Sequence, residues 1–319
     1  MAMTFSQIPP ETRPVLIVSG FVLAILVLGT AYTLATAGTA PLLMPGYLLQ
    51  QLQTGAFLGI VAAGMMMVIL LGHIDLSVPW TMTAAAMVAT AVGGPWAIPA
   101  GVAVWLAAGL FNGLSVAVLR IPPMIFTLGV DSVLRGLMVT QTGGFAPQDR
   151  ATGTMRLLAA GKVADVPAAI FVWLAVSVAI AVLLRRTAFG REIYATGTSE
   201  AAAYLAGIRT RRVIVGAFAA SGLCAALAGV LLAGYSARAY QGMATPFLLP
   251  AIAAVVIGGT RILGGQGRYA GTFAGVVLIV LLNSVLSIMQ MPEPGRQVIY
   301  GSFILCMLLV HGRSARFPS

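Results

Sequence analysis

Along this chain, apolar runs alternate with short polar interruptions. A membrane-crossing helix needs about 17–25 mostly apolar residues. Runs near that length fall at 14–36, 55–71, 78–92, 96–119, 123–141, 166–184, 213–235, 245–259, 271–289 and 297–310. The pattern predicts about ten transmembrane helices. The third and eighth runs are short, which predicts broken or re-entrant segments in place of plain crossings. The run from Pro14 is longer than the roughly 7–15-residue apolar core of a secretion signal, and Arg13 is the one base before it. It is therefore expected to be a first span, over 13–36, although Ala35-Thr36-Ala37 resembles a cleavage site.

Composition supports that picture. The chain has 319 residues, 59% hydrophobic and 8% charged, with mean hydropathy +0.98. Soluble domains carry roughly 25% charged residues, so this chain cannot cover a water-facing surface. The expected fold class is an all-α integral membrane protein, a polytopic bundle forming a single domain over 1–319 with lipid around it. A net charge of +10 would suggest nucleic acid in a soluble protein. Here the bases mark one side of the membrane. With the N-terminus in the cytoplasm and ten alternating spans, only Arg150, Arg156, Lys162, Arg238 and Arg296 fall outside. Arg135 lies within a span, and the other 12 of the 18 bases fall inside. The positive-inside rule then places both termini in the cytoplasm and predicts no nucleic-acid partner. Small residues four apart, at Gly55/Gly59, Gly109/Gly113 and Gly271/Gly275, predict close helix packing. Cys224 and Cys306 sit far apart in apolar runs, with neither disulfide nor metal spacing.

Polar residues inside apolar runs are candidates for function. The stretch "GHIDLSVP", 72–79, interrupts a long apolar region. Gly72 can end a helix, Asp75 or Ser77 can cap the next, and Pro79 suits its first turn. A helix break at membrane depth is tolerated where protein or a watery cavity covers it, and transporters expose helix ends to cargo this way. Asp75 is either a cap at the cytoplasmic surface or the residue that holds a break in the membrane, with His73 tuning it or facing the pathway. A second glycine-polar stretch, 258–267, is a candidate counterpart. Asp131 and Arg135 lie four apart on one helix face, as a structural ion pair or as part of a path. Asn112, Arg135 and Asn283 are the polar groups expected along a pathway. No metal site is expected. The single lysine, Lys162, does not stand in a G-x-x-x-x-G-K-[ST] phosphate loop, and no H-E-x-x-H is present, so no catalytic residue is assigned.

The predicted internal loop, 185–212, is the most informative water-facing stretch. "GTSEAAAYLAGI", 197–208, reads as a short helix between arginine clusters. Thr198 or Ser199 can cap it, Glu200 falls in the first turn, and Gly207 stops it. About two turns are marginal alone in water. The helix must dock, either into a groove on another protein or onto its own bundle, with Tyr204 and Leu205 as its larger knobs.

That loop resembles the coupling motif of ABC-transporter permeases of the ribose type, the branch that imports monosaccharides. Three further stretches resemble the same family in the same order: "IDLSV" at 74–78, "PPMIFTLGVDSVLRGL" at 122–137 and "AIAAVVIGGTRILGGQGRYAGTFAGV" at 251–276. Departures are His73 and Pro79, where the family usually has glycine, Pro250, where it often has an acid, and Thr198-Ser199, where Gly-Asn is common. The resemblance implies a second permease chain completing the pore, a cytoplasmic ATP-binding cassette subunit, and a periplasmic substrate-binding protein. ATP and Mg would be used by that ATPase, with no cofactor on this chain. Ser199, Glu200, Ala201, Ala202, Leu205 and Gly207 would form the coupling helix, and the chain would sit in a bacterial inner membrane. The cargo expected is a monosaccharide or similar polyol. A branched-chain amino acid, nucleoside or furanosyl signal molecule in the same machine, or an ion-coupled carrier working alone, are the alternatives.

Overall fold

The computed structural model describes residues 13–145 and 149–314. They form fourteen α-helices and one two-stranded ribbon. The first helix, α1 (Arg13–Ala37), is peripheral, with most of its apolar surface exposed. Next, α2 (Pro45–Leu70) is nearly all buried from Gly55 on and forms the centre. It begins ten residues before the predicted run, because its polar first turns find partners. Tyr47 Oη lies 2.8 Å from Ser284 Oγ, and Gln53 Nε2 donates to the Ala159 carbonyl at 2.8 Å.

After a break comes the short α3 (Val78–Val92), then α4 (Ala97–Trp105), a π-wound turn at Leu106–Leu110, and α5 (Phe111–Leu119). The last three make one continuous span. α6 (Pro123–Gln141) packs on α3 and α5 and leaves its other faces open. The stretch between α6 and the next long helix is partly folded. It holds α7 (Gly153–Ala160), capped by Thr152 Oγ1 accepting from Met155 N, and the paired strands β1 (Lys162–Val163) and β2 (Val166–Pro167). Then α8 (Ala168–Arg186) runs back along α2.

The internal loop contains two helices where the sequence predicted one: α9 (Ala188–Thr198) and α10 (Glu200–Leu205). α11 (Thr210–Ser236) packs on α2, α3, α4, α5 and α7. Close approach makes this possible. A Cβ at Gly229 would overlap the Met82 carbonyl oxygen of α3, and one at Gly222 would lie 2.8 Å from Gly109 Cα. The expected small-residue stripe Gly109/Gly113 does face α11. α12 (Leu248–Ile257), preceded by a 3-10 turn at Thr245–Phe247, is the predicted short eighth segment. α13 (Tyr269–Ile288) and α14 (Glu293–Ser314) complete the described chain.

Seven of the described helical segments are long and apolar enough to cross a membrane, and Val78–Val92 and Thr245–Ile257 are shorter apolar helices. This is a multi-pass, all-α membrane protein. Its two breaks mirror each other in order: long helix, break, short helix for α2–α3, and short helix, break, long helix for α12–α13.

Candidate functional site

The first break is built around one buried carboxylate. Just past the end of α2 stands Gly72, whose φ of +76° suits glycine, and His73 N closes the turn by donating to the Val68 carbonyl at 3.2 Å. Asp75, 1% exposed, then folds back on its own chain. Its Oδ1 accepts from Ser77 N at 3.0 Å and Ser77 Oγ at 2.7 Å. Asn112 Nδ2 of α5 reaches the same oxygen at 3.4 Å and Ser77 Oγ at 2.7 Å. Ser221 Oγ of α11 donates to Asp75 Oδ2 at 3.2 Å. One carboxylate thus ties the break to two other helices. A buried acid is tolerable only with its acceptor sites filled in this way.

The start of α3 is capped from outside. Ser77 occupies the N-cap position but makes no side-chain cap bond. Instead, α6 supplies two acceptors one turn apart. Thr127 Oγ1 accepts from Leu76 N at 3.0 Å, and Asp131 Oδ1 accepts from Trp80 N at 3.3 Å. Free amides at a helix start favour such partners. This corrects the reading of Asp131 and Arg135 as an ion pair. No ion pair joins the two, whereas Arg120 and Glu200 do form one. Asp131 turns to the helix start, while Arg135 stands on the exposed side of α6.

The predicted pathway residues separate. Asn112 is fully buried and spends its amide on the Asp75 cluster. Asn283 is exposed on α13, where its Oδ1 accepts from Arg296 Nη1 at 2.8 Å. It borders a small pocket with Gln51, Thr54, Phe247 and Tyr300. His73 is half-buried and stacks on Phe218 of α11, with ring centroids 6.2 Å apart. Sequence reasoning missed Thr127 and Ser221, because a lone hydroxyl in an apolar helix gives no signal of what it faces.

The helix α10 is formed as its caps predict. Ser199, not Thr198, is the N-cap, and its Oγ accepts from Ala202 N at 3.3 Å. Gly207, with φ +86°, ends the helix, and Ile208 N closes on the Ala203 carbonyl at 3.0 Å. Glu200 Oε1 accepts from Arg120 Nη1 at 2.8 Å and from Thr210 Oγ1 at 3.2 Å, so α10 is tethered to the end of α5 and the start of α11. Ala201 and Ala202 are exposed. Tyr204 and Leu205 are 70% and 86% exposed and project into open space.

The opposite end of this loop is seated deep. Gly197, in the last turn of α9, presses its backbone against the Leu70 carbonyl, where any Cβ would overlap the oxygen. That carbonyl also accepts from Gly265 N of the second break at 2.8 Å. A Cβ on Gly264 would meet Gly72 N at 2.7 Å and the Gly197 carbonyl at 2.8 Å. Both breaks and the end of α9 therefore meet backbone to backbone. α9 is held there by Tyr194, whose hydroxyl donates to the Gly267 carbonyl at 2.8 Å.

Residues 47–310 match the family model described as branched-chain amino acid transport system / permease component. The chain belongs to this family of ABC-importer permeases. The permease is 35% identical over 274 residues to the ribose import permease protein RbsC of Bacillus subtilis (strain 168), covering 84% of this chain and 85% of that one. It is 33% identical over 274 residues to RbsC of Escherichia coli (strain K12), covering 83% and 84%. It is 34% identical over 259 residues to the autoinducer 2 import system permease protein LsrC of Salmonella typhimurium (strain LT2), covering 80% and 74%. No solved structure matches. Membership in a permease family sets aside a carrier that works alone.

Proposed function

We propose that this chain forms the translocation path of an ATP-driven importer for a monosaccharide or similar polyol. One observation carries the mechanism: the loop that bears the exposed Tyr204 and Leu205 is seated by Gly197 on both helix breaks. A push on α10 reaches the breaks through α9 without crossing a flexible linker. An ATP-binding cassette subunit would engage α10, through Ala201, Ala202, Tyr204 and Leu205, and closure of the ATPase pair would drive the push. The chain itself carries out no bond chemistry, and ATP and Mg belong to the partner.

At the breaks, displacement of α9 shifts the Leu70 carbonyl and the loop 258–268 together, so α3 and α12 change tilt in concert. Asp75 keeps the first break intact during that motion. A second permease chain, identical or related, would complete the pore. A periplasmic binding protein would deliver the cargo. The membrane is the bacterial inner membrane, with both termini cytoplasmic, supported by the arginines around α8–α11. The sugar reading is supported by the ribose permeases among the relatives. The LsrC relatives, autoinducer 2 import permeases by name, support the alternative of a signal molecule as cargo.

The test is gentle purification from the native membrane with mass spectrometry of what accompanies the chain. A co-purifying ATPase, lost when Glu200 and Leu205 are both replaced, is the expected result. Isolation without an ATPase under several mild conditions would overturn the coupling reading. Binding of the purified assembly's partner protein to a panel of pentoses, hexoses and furanosyl diols then identifies the cargo.

A further inference from the structure

The seam between α8 and α13 carries a feature that transport does not use. A groove of about 330 Å³ runs along it, walled by Leu174, Val178, Ala181, Ala270 and Phe273. Leu174 and Val178 are 41% and 62% exposed. The polar groups in its floor are satisfied by one another, since Ser177 Oγ and Tyr269 Oη are 2.7 Å apart. What remains is apolar. At the end where α8 finishes, the groove meets a second cavity of about 370 Å³, bordered by Arg185, Tyr194 and Arg268. Arg185 and Tyr269 line both. The Tyr194 hydroxyl is pushed above its usual range by burial, while the guanidiniums of Arg185 and Arg268 pull it the other way.

We propose that this groove and its basic cavity form a binding site for one anionic phospholipid. The dimensions fit. From Leu174 to Arg185 the helix rises about 16 Å at 1.5 Å per residue, close to the half-thickness of a hydrocarbon core about 30 Å deep. An acyl chain lies along Val178 and Phe273, and the phosphate reaches Arg185 and Arg268. Basic pockets between helices at the cytoplasmic surface suit anionic head groups in this way. The head group then rests where Tyr194 joins α9 to the second break, so the lipid braces the coupling loop against it.

The test is native mass spectrometry of the full chain in mild detergent, titrated with phosphatidylglycerol or phosphatidylcholine vesicles. Phosphatidylglycerol is expected to stay bound and phosphatidylcholine to be lost. R185Q/R268Q should weaken retention about 30-fold, from two lost charges near the head group. Val178→Trp, a change on an exposed lipid-facing side chain, should also weaken it with both arginines intact. This variant decides the matter if the double variant does not fold. Equal retention of the two lipids, or unchanged retention in Val178→Trp, would overturn the proposal. So would displacement of phosphatidylglycerol by millimolar inorganic phosphate, which marks a simple anion site. Disulfide linkage of two chains through cysteines introduced at Val178 would overturn it as well, because a second copy would then cover the groove.

Discussion

Asp75 is expected to act through the structure it holds together. It accepts four hydrogen bonds, three on Oδ1 and one on Oδ2. Asp75→Ala leaves the amide and hydroxyl of Ser77 and the amide of Asn112 buried without that acceptor. The expected cost is about 2–4 kcal/mol, read as a lower melting temperature of the detergent-solubilised chain with transport lost alongside. Asp75→Asn should be milder. Its oxygen can still accept from Ser77, and the Ser221 hydroxyl can turn from donor to acceptor opposite the new amide. If the alanine variant melts with wild type, the break is held by something else. Arg120 is the opposite case. Its bridge to Glu200 joins side chains 58% and 36% exposed. Arg120→Ala should therefore change stability by less than about 1 kcal/mol, as chemical denaturation in detergent would register.

Among the elements, the sequence made the breaks legible and hid what joins them. Gly72, Asp75 and Pro79 announce an interruption because each has a local reason to stand at a helix end. Ser199, Glu200 and Gly207 announce α10 for the same reason. α9 was not visible, since its apolar residues cover only one narrow face and Gly190 and Gly197 argue against a helix. Both glycines are there for contact instead: Gly190 lies on the last turn of α8, and Gly197 on Leu70. Tertiary proximity of this kind leaves no mark in a local pattern. The Asp131–Arg135 expectation failed similarly, because spacing cannot reveal an empty amide on a neighbouring helix. Gly197→Ala should insert and fold apart from the junction but uncouple it. The expected outcome is ATP hydrolysis by the assembled importer continuing without uptake in proteoliposomes. Uptake at the wild-type rate would show that the junction transmits nothing.

For the whole molecule, the proposed orientation can be tested at two exposed side chains. Leu157 on α7 and Tyr204 on α10 are 66% and 70% exposed, and with α8 as the one span between them that orientation puts them on opposite faces. With Cys224 and Cys306 replaced by alanine, a cysteine at 157 should react with an impermeant maleimide in intact cells, and one at 204 only after the membrane is opened. Reaction of both from outside would refute the orientation. The same surface distribution separates structure from partnership. Replacing both Tyr204 and Leu205 with serine removes side chains that pack on nothing in this chain, so the melting temperature should hold while ATPase co-purification falls away.

The π-wound turn at Leu106–Leu110 has a consequence for how this chain can change length. An α-helix advances about 100° per residue. Loss of one residue from α4 would therefore swing Asn112 about that far from Asp75 and empty the cluster. A π turn holds one residue more than the α ladder requires. Loss of a residue there restores ordinary winding and leaves the phase of the flanking turns unchanged. Residues 106–110 are thus a place where the span tolerates a deletion, and where sequences that have drifted in length can still deliver an asparagine to the same carboxylate.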